Sequence, residues 1–163
     1  MFPADIIILA KAVVAASRRS GLMVATAESC TGGLVAGAIT AVPGSSDALE
    51  RGFVTYSNAA KASMLGVAAD LIETHGAVSE PVARAMAQGA VVMSGADVSV
   101  AVTGIAGPGG GSGDKPVGLV HFAAAGPQGM IHQARQFGDI GRDEVRTASV
   151  RVALEMLLER LGA

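Results

Sequence analysis

Basic residues are few and never cluster: 12 Lys and Arg stand against 14 Asp and Glu, for a net charge of −2. That balance excludes the electrostatic footprint of a nucleic-acid-binding chain. Cysteine occurs once, as Cys30, which excludes an intramolecular disulfide and fits a reducing, cytoplasmic setting. No Cys or His residues stand at metal-ligand spacing; His75, His121 and His132 are scattered. No apolar run is long enough to span a bilayer. The longest N-terminal one, residues 6–16, is broken by Lys11 and preceded by Asp5 instead of the basic cluster of a signal peptide. Aromatic residues make up 3% of the chain, so its hydropathy rests on Ala, Val and Gly.

What remains is a chain of 163 residues, half of them hydrophobic and 16% charged. That suits one globular domain, residues 1–163, with a real core. No repeat or linker interrupts it. Helical spacing of apolar residues predicts a helix over 4–20, with Arg18 and Arg19 favouring its C-terminal end and Gly21 ending it. A buried strand is expected at 22–26 and a helix at 31–42, with a polar turn between them. A strand at 49–56 follows, then a helix capped by Ser57-Asn58 and ended by Gly66, and a short helix at 68–74. Ser79-Glu80-Pro81 opens a helix that runs to Ser94. Strands are expected at 98–103, 118–125 and 130–137, the last two joined by a hairpin turn, and a final helix runs from Arg142 or Asp143 to Leu161. This order reads as a three-layer α/β/α sandwich around a mixed, mostly parallel sheet, the hairpin supplying an antiparallel edge.

Three stretches can carry chemistry. The first is Thr26-Ala27-Glu28-Ser29-Cys30-Thr31-Gly32-Gly33, at the turn between the first strand and its helix. Ligands bind outside the carboxyl ends of strands in open α/β sheets. A serine hydroxyl beside unpaired helix-start amides can attack a carbonyl and hold the resulting oxyanion. Ser29 also reads as an ordinary cap. Cys30 competes as a thiolate nucleophile, against the commoner role of small buried hydrophobe. The flanks lack the Gly-x-Ser-x-Gly elbow. The second is Tyr56 and Lys61, the only tyrosine and one of three lysines, around the next strand-to-helix junction. If the two strands are parallel neighbours, a partly desolvated Lys61 can serve as base to Ser29, directly or through Tyr56. The third is the loop 104–116, whose glycines let backbone amides close around an anion. It matches neither a Walker A loop nor Gly-x-Gly-x-x-Gly. Arg142 and Arg146, one turn apart, can each grip a carboxylate or phosphate.

Taken together, the stretches AESCTGG at 27–33, VTYSNAAK at 54–61, GAVSEPVARAMAQGA at 76–90, VTGIAGPGGG at 102–111 and KPVGLV at 115–120 resemble the CinA C-terminal domain family, which includes nicotinamide-nucleotide amidases of the PncC type. The resemblance implies metal-independent hydrolysis of the carboxamide of nicotinamide mononucleotide, yielding nicotinate mononucleotide and ammonia without a cofactor. It implies Ser29 as nucleophile with Tyr56 and Lys61 as partners. Cys30, Thr31, Gly32, Gly33, Thr103, Gly104, Gly107 and Arg142 then bind substrate, with Arg146 as the other candidate arginine. The expected partner is a small pyridine nucleotide, with no nucleic acid or membrane; the low charge and small-residue helices leave room for a homodimer. A non-enzymatic nucleotide-binding module on the same fold is the alternative.

Overall fold

Alternating apolar residues and glycine punctuation set the element order. The structure, a computed structural model describing residues 1–163, has six α-helices and five strands. They are α1 (Ala4–Ser20), β1 (Val24–Glu28), α2 (Leu34–Thr40), β2 (Leu49–Val54), α3 (Asn58–Leu65), α4 (Ala69–His75), α5 (Glu80–Ser94), β3 (Val98–Gly104), β4 (Leu119–Gly126), β5 (Gly129–Gln136) and α6 (Arg142–Leu161).

The sheet order is β2-β1-β3-β4-β5. β1 pairs in parallel with β2 and β3, while β3–β4 and β4–β5 are antiparallel. The expected hairpin is the β4–β5 pair. The second antiparallel pairing arises because the glycine loop after β3 returns the chain to its own neighbour without a helical crossover.

Period-2 alternation divides the core. Val98, Val100 and Val102 of β3 face α1, α2 and α6 in one apolar cluster, and Ala101 faces α5 in the other. Along β1, Ala25 and Ala27 lie on the α5 side. The next odd position, Ser29, continues toward that side, whereas Glu28 turns to α2. The faces are thus assigned before any site forms.

Two expected elements start later than their sequence pattern suggests. β1 extends through Glu28, so Ser29 is the first residue beyond the strand. α2 begins at Leu34 because Gly32 and Gly33 both adopt positive φ (58° and 97°), which carries the chain through a turn before helix geometry is possible. No helix is long and apolar enough to cross a membrane.

Candidate active site

The strand order 2-1-3 makes the carboxyl ends of β1 and β3 a topological switch point, where α/β sheets open a crevice. A cavity of about 280 Å³ lies there, lined by Ser29, Cys30, Tyr56, Asn58, Lys61, Thr103, Arg142 and the loop residues Gly104 to Gly107, Gly109 and Gly110, with Ala77 and Val78. Ser29 is held between two parallel neighbours. Its N–H donates to Val102 O at 2.9 Å, and Thr55 N–H donates to Glu28 O at 2.8 Å, extending the ladder by one residue on each side.

Lys61 reaches this point from the first turn of α3. Ser57 Oγ accepts from Ala60 N–H at 3.0 Å and caps that helix, setting its start. Lys61 Nζ then lies 3.1 Å from Ser29 Oγ and donates to Thr55 O at 2.8 Å. The residue is only 1% exposed, and no carboxylate forms an ion pair with it. Burial pushes its pKa below the ordinary lysine value. An amine so placed can be neutral and accept the hydroxyl proton.

Cys30 is adjacent but differently disposed. It belongs to the α1/α2/α6 core, and burial pushes its thiol up to about 12. A neutral thiol is a poor nucleophile, whereas Ser29 Oγ stands beside the Lys61 amine. Tyr56 is 61% exposed at the cavity mouth. Its Oη accepts from Arg142 Nη2 at 2.8 Å, with no hydrogen bond to Ser29 or Lys61. The Lys61–Ser29 contact is direct and does not pass through the tyrosine hydroxyl. β2 ends at Val54, two residues early, and the phenol meets Arg142 at the start of α6.

The two arginines separate cleanly. Arg142 lines the cavity and donates from Nη1 to Gly107 O at 2.8 Å, bracing the glycine loop. Arg146 turns away to the Ser29 turn, where Nε and Nη2 donate to Cys30 O (3.1 Å) and Thr31 O (3.3 Å). Thr103 Oγ1 donates to Ala77 O at 2.9 Å, tying β3 to the segment before α5. The amides of Ala106, Gly107, Gly109 and Gly110 have no protein acceptor and stand along the cavity wall. Such a nest suits an anionic group. Gly107 requires its glycine: φ is 82°, and a Cβ would meet Val117 Cγ1 at 2.6 Å.

Thr31, Gly32 and Gly33 do not line the cavity. The Gly32 N–H donates to Ser29 O at 3.0 Å, and that of Gly33 to Glu28 Oε2 at 3.0 Å. Both amides have their acceptors within the turn. Thr31 is wholly buried, with Oγ1 unpartnered.

Glu28 was not singled out by sequence reasoning. Fully buried, its carboxylate accepts from the N–H groups of Gly33, Val35 and Ala36 at 2.9 to 3.0 Å and from Thr26 Oγ1 at 3.1 Å. It caps α2 from outside the usual cap position, in place of Ser29 or Thr31, and its negative charge suits a helix N-terminus. A glutamate immediately before a serine-glycine turn in an otherwise apolar strand is the signal that could have found it. Glu28→Ala would strand three inward-facing donors, at about 1 kcal/mol or more each. We expect a loss of at least about 3 kcal/mol in denaturant unfolding; a variant within about 1 kcal/mol of wild type would refute the cap's importance.

His121 and His132 are not scattered in space. They sit diagonally across β4 and β5, with rings 5.2 Å apart and Nδ1 of His121 2.9 Å from Nε2 of His132. No group of His, Cys, Asp and Glu here is suited to hold a metal ion.

The sequence profile described as CinA C-terminal domain matches residues 7–161. A CinA-like protein of Parasynechococcus marenigrum is 53% identical over 95% of this chain, but the chain spans only 37% of that relative. The nicotinamide-nucleotide amidohydrolase PncC of Enterobacter agglomerans is 51% identical, with 88% of each chain covered. The crystal structure of the competence/damage inducible protein CihA from Agrobacterium tumefaciens superposes with a TM-score of 0.97 at 55% identity, covering 100% of this chain and 99% of its own. A CinA superfamily protein from Escherichia coli superposes with a TM-score of 0.91 at 37% identity, covering 98% and 92%.

Proposed function

The chain belongs to the CinA C-terminal domain family, and from that premise we propose that it is a nicotinamide-nucleotide amidohydrolase, converting nicotinamide mononucleotide and water to nicotinate mononucleotide and ammonia. The observation that carries this reading is the buried Lys61 amine, without a carboxylate partner, 3.1 Å from Ser29 Oγ on the wall of a polar cavity.

Ser29 Oγ attacks the carboxamide carbon as its proton passes to Lys61 Nζ. The carbonyl oxygen becomes an oxyanion beside the turn that follows Ser29. Collapse of the tetrahedral intermediate breaks the C–N bond. Lys61 returns the proton to the leaving nitrogen, which departs as ammonia and leaves an ester on Ser29. A water then gives its proton to Lys61, adds to the ester carbon and regenerates the serine. The amides of Ala106, Gly107, Gly109 and Gly110 receive the phosphate, while Arg142, paired with Tyr56, closes the mouth. No step uses a metal.

The test is ammonia release from nicotinamide mononucleotide by the purified chain, with the product identified by mass. Turnover that persists in EDTA supports the reading. Absence of turnover, with the nucleotide still binding, would leave a non-enzymatic binding module and overturn it.

A further inference from the structure

Six of the eight backbone N–H groups from Ser29 to Ala36 have protein acceptors. Ser29 donates to β3, Gly32 to Ser29 O, and Leu34 to Thr31 O at 3.1 Å; Gly33, Val35 and Ala36 donate to the Glu28 carboxylate. Only the Cys30 and Thr31 amides have no protein acceptor. Buried or half-buried donors are rarely left without partners unless a ligand or water takes them. The Cys30 amide directly follows Ser29 on the cavity lining, where the charge of a tetrahedral intermediate would develop, and the Thr31 amide lies buried behind it.

Their carbonyl counterparts are all engaged. A trans peptide unit holds its C=O and N–H in one plane, pointing in opposite directions, so whatever binds the carbonyl aims the amide. The plane carrying the Cys30 N–H is held through Ser29 O by Gly32. The plane carrying the Thr31 N–H is held through Cys30 O by Arg146 Nε, and Arg146 Nη2 takes the next carbonyl, Thr31 O. The arginine comes from α6, 116 residues away from Cys30. It does not itself line the cavity and pairs with no carboxylate, but through Cys30 O it holds a lining residue. Its charge is spent on two backbone carbonyls.

We propose that Arg146 is a positioning residue for the amidase reaction: it clamps the Ser29–Thr31 turn so that Cys30, pinned on both sides, presents its amide as a preformed oxyanion donor at the cavity. The proposal rests on the amidohydrolase reading. The clamp acts on the charged intermediate and not on the planar carboxamide, so it contributes to kcat and not to substrate affinity.

The experiment compares wild type with Arg146→Gln and Arg146→Lys for kcat and KM on nicotinamide mononucleotide, binding of product, and binding of pyridine-3-carbaldehyde. The aldehyde mimics the intermediate: its carbon bonds Ser29 Oγ, the hydroxyl proton passes to Lys61, and the aldehyde oxygen takes the negative charge. For Arg146→Gln we expect kcat to fall about 10- to 100-fold, with KM and product affinity within about twofold and aldehyde affinity falling in parallel with kcat. Arg146→Lys should fall between, because an ammonium is a point donor that cannot span both carbonyls as a guanidinium does. Added methylguanidinium should restore part of the Arg146→Gln rate. Unchanged kcat in both variants, or aldehyde and product affinities falling together, would overturn the proposal. A thermal midpoint lowered in both variants in proportion to lost activity would mark the residue as merely structural and overturn it too. Wild-type protein that neither releases ammonia nor binds the aldehyde through Ser29 would overturn the amidase reading and this role with it.

Discussion

Ser29→Ala is expected to lower kcat on nicotinamide mononucleotide by about 10⁴-fold or more, in the range that loss of a covalent nucleophile costs. Only one oxygen is removed. The hydrogen bonds that hold the turn run through the Ser29 backbone and through Glu28, not through Ser29 Oγ. The variant should therefore fold, with a thermal midpoint near wild type and substrate binding retained. Cys30→Ala is the control. With its thiol pushed up to about 12 and packed in the core, it should keep activity within about tenfold and lose stability only as a small buried side chain does. The opposite pattern, an active Ser29→Ala and an inactive Cys30→Ala, would move the nucleophile to sulfur.

Lys61→Met should cost about 10³-fold in kcat, since one amine acts as base in attack and as acid in departure. In wild type, kcat/KM should rise with pH as Lys61 loses its proton and then level off. The inflection should lie below the free lysine value of about 10.4, because burial lowers the pKa. A flat profile, or one still climbing at the free lysine value, would exclude Lys61 as the base. Stability carries the same sign. Between the lowered folded pKa and the unfolded one, the unfolded chain holds more protons than the folded one. The contribution of Lys61 to stability therefore grows as pH rises across that window and is lost as pH falls through the folded value. The unfolding free energy of wild type, taken relative to Lys61→Met, should increase from neutral pH toward about 10. A difference independent of pH would mean that the amine titrates alike in both states.

Both predictions depend on residues that stood out in the linear chain. Ser29, Lys61, Thr103 and the glycine loop lie at ends of elements whose apolar patterns are strong. Alternation along β1 and β3 determined which face each side chain meets, because the side-chain period of a strand is two whatever its neighbours. The order of elements determined the layers, and the glycines that end α1, α3 and α5 sit where helices need a left-handed residue.

The partners of each polar group were settled only by the fold. Nothing in the chain says that Glu28 caps a helix starting six residues later, because that depends on the turn angles of Gly32 and Gly33. Arg142 and Arg146 look equivalent along the sequence, and one helical turn sends one to the cavity and the other to the nucleophile turn. Tyr56 pairs with an arginine 86 residues on rather than with Lys61. Periodicity is a local property and can be read from neighbours in sequence. A hydrogen bond is directional and short, so its partner exists only once distant segments have been brought within about 3 Å.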